Sequence, residues 1–525
     1  MNEELTETEV CPVRNLDGVL TRLGTGLWNY KIWGICATIY CLMPANMFYG
    51  AFVAPAVNHT CAPPPGCVAA DQCTYYASGT NGSTLPCTHW LYDNSTFKFT
   101  LTEQFDLVCG SAHMRALVSS VYMMGSAAGA PVGGLLSDKF GRKRVVLLLM
   151  TMFSVGDLTI NWLQSLNVII LVRFLMGFTA PILLCSSYNL CMEICELRYR
   201  SLYGILNGLP WGLATVLYGA VAYFVRDWRW LQFTNALLCV LILPLMWCLD
   251  ESPRWLAVNG RTKQALAVIR SAERLNMSAL PSDEHLISVL VSTHESSVGF
   301  GKTDRTNLQV LILEISTLFH KAIRERVLIM WFMFVVATMI FYGLSMAPVS
   351  YSVNPFVYMM LTGLMEIPGY TFPAPIIARA GRRWPTALSY ATSGVSLGLL
   401  AWTAPEIVWL VMTLAMIGKL CISMAFQIIY LYAVELLPTE IRSTGIGSMV
   451  FVSRFGAIVS PFIIDTLGSS VPWAPSLLFG MLSLVAVPLC LRLPETLGQP
   501  VVDTITELTQ DKELKREKDE NLLRR

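Results

Sequence analysis

Apolar residues along this chain gather in blocks of about 20, the length a helix needs to cross a ~30 Å hydrocarbon layer, with polar breaks between them. The pattern predicts twelve spans, at 28–53, 115–136, 145–164, 167–192, 202–225, 230–249, 327–347, 355–378, 385–404, 406–434, 443–465 and 473–493. The expected class is therefore an all-α membrane protein. Its expected parts are an N-terminus (1–27), a first six-helix half (28–249), an inter-half loop (250–326), a second six-helix half (327–493) and a tail (494–525). The N-terminus is acidic and lacks a signal peptide's basic start and apolar core, so the first span is expected to stay as an anchor.

The two longest breaks, 54–114 and 250–326, differ in kind. The first holds Cys61, Cys67, Cys73, Cys87 and Cys109, with sequons at Asn58, Asn81 and Asn94. Clustered cysteines and acceptor asparagines predict an oxidised, glycosylated extracellular loop. An odd number of cysteines leaves one thiol over, and the pairing is open. Asn276 also begins a sequon, but it lies in the opposite loop and is expected to stay unmodified.

Charge placement gives the orientation. Lys139, Arg142, Lys143, Arg144, Arg198, Arg200, Arg379, Arg382, Arg383 and Arg442 fall in alternate breaks, on the side of the inter-half loop and the basic tail. The opposite breaks hold few cations beyond Lys98, Arg115, Arg226 and Arg229. Both termini are thus expected in the cytoplasm of a multi-pass plasma-membrane protein.

Composition agrees and excludes other classes. Hydrophobic residues make up 54% of the 525 and charged residues 14%, too little charge to cover a soluble surface. A net charge of +1 provides no field for nucleic acid. No enzyme signature is visible. The segment GILNG at Gly204 lacks the Lys-Ser/Thr end of a phosphate loop, and the six histidines show no metal spacing. No cofactor or metal is expected. Cys191 and Cys195 sit one turn apart with no partner base and read as packing.

An internal repeat organises the chain. GRKR begins at Gly141 and GRRW at Gly381, 240 residues on. Glu193 precedes Arg200 by seven positions, as Glu435 precedes Arg442. ESPRWL begins at Glu251 and ETLG at Glu495, an offset of 244. Such landmarks imply two halves in parallel repeat, rocking about a site near the midplane. Asp138, Gly141, Arg142, Arg144, Glu193, Arg200, Gly381, Arg382, Glu435 and Arg442 are the expected conformational residues. Glycine allows the tight turn, and the charges form a latch for the cytoplasm-closed state or, alternatively, only set topology.

At these motifs the sequence resembles the organic-ion transporters of the major facilitator superfamily, from about Trp28 to Pro500. The resemblance rests on TLTEQFDLVC (Thr100–Cys109), LSDKFGRKR (Leu136–Arg144), RDWRWLQF (Arg226–Phe233), DESPRWLAVNGR (Asp250–Arg261), MEIPGY (Met365–Tyr370) and LPETLGQP (Leu493–Pro500). It implies alternating-access transport of small organic cations, anions or zwitterions such as carnitine.

Ionisable residues inside spans are costly and tend to be functional. Glu366 falls mid-way in the eighth span and Arg454 mid-way in the eleventh, with Tyr370 one turn from Glu366. Pro368 and Gly369 are expected to loosen that helix. The resemblance implies that acid, tyrosine and arginine together mark the carnitine-type branch, so a zwitterion is the first expectation, with organic anion or cation as alternatives. Equally, Glu366 and Arg454 pair with each other in the empty carrier. Tyr342, Gln427, Trp211 and Asn207 either line the cavity or pack. Lys419 either attracts anions or binds a carbonyl, and Asp157 and Arg173 are expected to pair as scaffold. A ligand sensor without turnover is the alternative of another class. No residue specifies the coupling ion (sodium or proton) or the oligomeric state.

Overall fold

The computed structural model describes residues 15–76, 84–199, 203–204, 206–300, 316–347, 353–499 and 507. Long helices stand at every predicted span. In the first half they are α1 (Leu27–Met47), α2 (His113–Phe140), α3 (Arg142–Thr159), α4 (Leu166–Ile194), α5 (Gly208–Phe224) and α6 (Trp228–Trp247). In the second they are α7 (Arg324–Met346), α8 (Pro355–Thr371), α9 (Arg383–Trp402), α10 (Val408–Leu436), α11 (Arg442–Phe462) and α12 (Ala474–Leu491). Among the described residues seven helices are individually long and apolar enough to cross a membrane. The others are short, as α5 and α8 are at 17 residues, or rich in small and polar side chains.

The first and eighth predicted spans end well before their expected bounds. The first ends at Met47 and passes into a 3-10 turn, Tyr49–Ala51. The eighth breaks at Phe372, and Pro373 starts a separate helix, Pro373–Ala380. The helix runs through Pro368, where loosening is expected: Phe372 N donates to the Pro368 carbonyl at 2.9 Å, while proline has no N–H to offer the Leu364 carbonyl one turn back. Proline at 373 cannot donate and crowds the preceding turn. At its far end α11 relaxes into a π-helical turn, Ile463–Leu467.

The loop before α2 is a small disulfide domain with a two-stranded and a three-stranded sheet. Cys61 bonds Cys87 and Cys73 bonds Cys109, so Cys67 is the cysteine outside both bridges. Asn58 and Asn94 are exposed, whereas Asn81 lies outside the described residues. At the opposite end, helices Leu16–Leu23, Pro253–Val258, Thr262–Asn276 and Asp283–Phe300 form a cap around Val19, Trp255, Ile269 and Leu290. Asn276 is spent there: its amide accepts from Trp28 N at 2.9 Å and donates to Asn29 Oδ1 at 3.0 Å.

The halves join along three pairs of helices. At the end bearing the disulfide loop, Tyr342 of α7 donates to Met47 Sδ of α1, and Ser120 of α2 donates to Ile458 O of α11 at 2.7 Å. Arg115 and Asp465 add an ion pair across the same α2–α11 seam. Between α5 and α8 contact runs from Gly219 beside Met360 down to Gly208 beside Tyr370, and glycine lets these backbones approach.

Candidate functional site

Helices α1, α5, α7, α8, α10 and α11 bring aromatic rings and charges together near the middle of the bundle. Phe48, just past α1, lies 6.4 Å from Trp211, 6.4 Å from Phe341 and 6.1 Å from Tyr342. Phe341 stacks on Phe426, which packs edge-on against Tyr430. Phe426 and Tyr430 are one turn apart on α10, a pattern that a packed core also shows, and sequence reasoning passed over them and Phe341.

Glu366 does not pair with Arg454. It is fully buried and meets Lys419 of α10 at 2.7 Å, with neither side chain exposed. Thr215 of α5 lies 3.5 Å from the same carboxylate, and Trp211 is beside it. Lys419 also donates to Phe341 O at 3.2 Å and Ser345 Oγ at 2.7 Å, and sits 3.2 Å from the Phe341 ring centroid. Of the two alternatives expected of it, the lysine holds a carbonyl, and it brings a positive charge with it. Its carboxylate partner, however, cancels that charge. A buried carboxylate takes the cation that reaches it with the best geometry, and Lys419 is that cation.

Arg454 is different. Among the described residues no carboxylate pairs with it, and its Nε is buried with no hydrogen-bond partner. Its neighbours are the phenols of Tyr342, Tyr122 and Tyr430. Tyr342 is nearly buried, while Tyr370 and Gln427 are half-buried. Asn207 is buried with both amide atoms unpartnered. Unsatisfied buried groups of this kind are uncommon in a finished core. With Glu366 and Lys419 paired, Arg454 is left, among the described residues, as a central cation without a carboxylate.

Asp157 and Arg173 do not form the expected ion pair. Asp157 accepts from Gln232 at 2.5 Å, Asn235 at 2.6 Å and Cys239 at 3.3 Å, all on α6. Arg173 instead donates to Asn46 and lies over the rings of Tyr49 and Tyr122, 3.9 and 4.7 Å from their centroids. Neutral donors and aromatic faces satisfy each charge separately, and both residues are buried scaffold.

The repeated turns are built alike. Gly141 and Gly381 have φ of +98° and +79°, where a side chain is strained, and a Cβ on either would collide with the carboxylate of Glu251 or Glu495. Arg142 binds Asp138 at 2.7 Å and Glu193 at 2.8 Å, and Arg382 binds Glu435 at 2.7 Å. Glu251 takes the N–H of Arg142 at 2.9 Å, and Glu495 that of Arg382 at 2.8 Å, each capping the next helix. The constant offset of these two acids was the sequence signal for that role. Arg442 caps locally on Thr439, Arg144 is exposed and Arg200 lies outside the described residues. The Asp138–Arg142–Glu193 network lies wholly within the first half, so it does not itself bridge the halves.

Burial opposes ionisation of Glu495, but N–H bonds from Arg382, Leu497, Arg383 and Thr496 outweigh it and hold the carboxyl below its ordinary range.

Residues 73–461 match the family described as the Major Facilitator Superfamily. The chain is 30% identical to an organic cation transporter protein of Drosophila melanogaster, over 83% of this chain and 81% of that one. It is 31% identical to solute carrier family 22 member 12 of Mus musculus, over 82% and 77% of the two chains. With organic anion transporter 3 of Sus scrofa it shares 27% identity over 87% and 86%. Among solved structures, a partially occluded inward open form of the xylose transporter XylE from E. coli superposes with a TM-score of 0.63 and 15% identity, over 90% and 99% of the chains.

Proposed function

This chain belongs to the major facilitator superfamily, as a transporter of its organic cation and anion branch, and we propose that it carries small organic anions seated on Arg454. One observation carries the reading: Arg454 lies among phenols with no carboxylate partner among the described residues, while the acid that would attract a cation is buried against Lys419. A substrate carboxylate can accept two parallel N–H bonds from a guanidinium. The rings of Phe48, Trp211 and Tyr342 supply an apolar wall for the organic body. Tyr370, Gln427 and Asn207 provide polar edges for orientation.

A zwitterion needs an accessible acid for its cationic head. Glu366 offers none in this conformation, so carnitine-like substrates rank behind anions. The names of the pig and fly relatives fit the same branch without deciding the sign of the substrate.

In this reading the disulfide loop faces outward with Asn58 and Asn94 glycosylated, and both termini lie in the cytoplasm of a plasma-membrane protein. The halves, closed on the loop side by the α1–α7 and α2–α11 contacts, rock about the Arg454 centre. Asp138, whose side chain is 69% exposed, remains available to reach the opposite half when the turn side closes. Cells expressing the protein should take up a labelled dicarboxylate in preference to a quaternary ammonium or carnitine. Preferred uptake of the quaternary ammonium would overturn the assignment, and binding without uptake of any of the three would make the protein a sensor.

A further inference from the structure

We propose that the turn end of α7 and α12 holds the phosphorylated headgroup of an anionic phospholipid of the inner leaflet. An open pocket of about 680 Å³ lies there. It is remote from the Arg454 centre, since Arg324 precedes Tyr342 on α7 by 18 residues, roughly 27 Å of helix. Among the described residues, Lys321, Arg324 and Arg492 line it with one acid, Glu325. Among the described residues none of those three cations is in an ion pair.

The parallel repeat supplies an independent comparison. At the equivalent corner of the first half, Asp250 accepts from the Trp28 indole at 2.9 Å and pairs with Lys31 at 3.8 Å. The offset of 244 that relates Glu251 to Glu495 carries Asp250 to Pro494. One half therefore neutralises its corner internally, and the other has proline in place of the acid and, among the described residues, no ion pair for its cations. A ligand bringing its own negative charge completes the second corner.

The pocket also has an apolar flank. Phe319 is 50% and Leu328 49% exposed, and Phe319 packs edge-on against Trp331 one turn deeper. Phosphates on the cations and an acyl chain along Leu328 use both surfaces at once, at the depth where a cytoplasmic leaflet presents its headgroups. The sidedness comes from the cation bias of the alternate breaks. A free phosphate compound would use only the polar half.

The test uses the full chain, purified, with thermal midpoint and binding read against phosphatidylinositol 4,5-bisphosphate, phosphatidylcholine and soluble inositol trisphosphate. The phosphoinositide should bind and raise the midpoint, and phosphatidylcholine should not. Combined Lys321→Ala, Arg324→Ala and Arg492→Ala should weaken phosphoinositide binding on the order of a hundredfold, at about fivefold per charge. Arg274→Ala, an exposed cation of the cap, should leave it unchanged. If the triple variant does not fold, Lys321→Gln and Arg324→Gln singly read the same fivefold steps. Undiminished phosphoinositide binding by the variants, equal binding to phosphatidylcholine, or equal affinity for soluble inositol trisphosphate would each overturn the proposal.

Discussion

Glu366 of α8 and Lys419 of α10 meet at 2.7 Å with neither side chain exposed, an ion pair internal to the second half. Removing one member leaves the other charged and buried, at a cost of about 3–5 kcal/mol, whereas replacing both by apolar groups of similar volume is close to neutral. Lys419→Met and Glu366→Gln should each lower the thermal midpoint of the purified protein sharply. The double variant Glu366→Leu, Lys419→Met should recover most of the loss. Losses that simply add would show that the two residues act separately.

Arg454 should control anion transport while contributing little to folding, since its charge has no carboxylate partner among the described residues. A charge-assisted hydrogen bond is worth about 1.5–3 kcal/mol, so Arg454→Ala should cut dicarboxylate uptake efficiency roughly 10- to 150-fold. Arg454→Lys keeps a point charge without the planar fork and should fall between. Surface expression measured in parallel removes the folding term. Normal uptake by Arg454→Ala would rule out this seat for the anion.

The architecture was legible because lipid demands apolar helices of fixed length and because the repeat keeps its landmarks at near-constant offsets. Gly141 with Glu251, and Gly381 with Glu495, are the same device read twice. Partner choice within the membrane was not legible. Glu366, Lys419 and Arg454 are three ionisable residues on three helices, and their rotation about each axis decides which two meet. A hydropathy pattern cannot fix that rotation when helices are apolar all round. Asp157 and Arg173 failed the same way, since amide and aromatic neighbours drew them to different partners. The break before Pro373 also needed three-dimensional context.

The Arg115–Asp465 pair, 3.9 Å apart across the α2–α11 seam, should help keep the loop end closed. Arg115 is also anchored by its bond to Leu107 O at 3.2 Å, so loss of Asp465 frees the seam without freeing the arginine. A partly exposed pair is worth about 1 kcal/mol at most, so Asp465→Asn should shift the closed-to-open ratio no more than roughly fivefold. Hydrogen exchange should rise in the first turns of α2 and the last turns of α11 and stay unchanged in the Arg142 turn. Equal exchange in variant and parent would remove the pair from the gate.

Glu495 should make the second turn acid-sensitive in a defined direction. Its carboxyl is held below the ordinary range by backbone N–H groups that outweigh burial. The stabilisation is therefore fully present above the unfolded value of about 4.3 and disappears as pH falls through the lower folded value. Glutamine keeps the shape but offers one acceptor oxygen and turns an amide donor toward the N–H groups of Arg382 and Arg383. At neutral pH Glu495→Gln should melt earlier than the parent. As the buffer is acidified from about pH 5 to 3, the parent should lose stability more steeply and the two melting curves should converge. Parallel slopes through that window would mean that Glu495 titrates no differently in the folded chain than in the unfolded one, and the helix cap at Arg382 would then owe nothing to its charge.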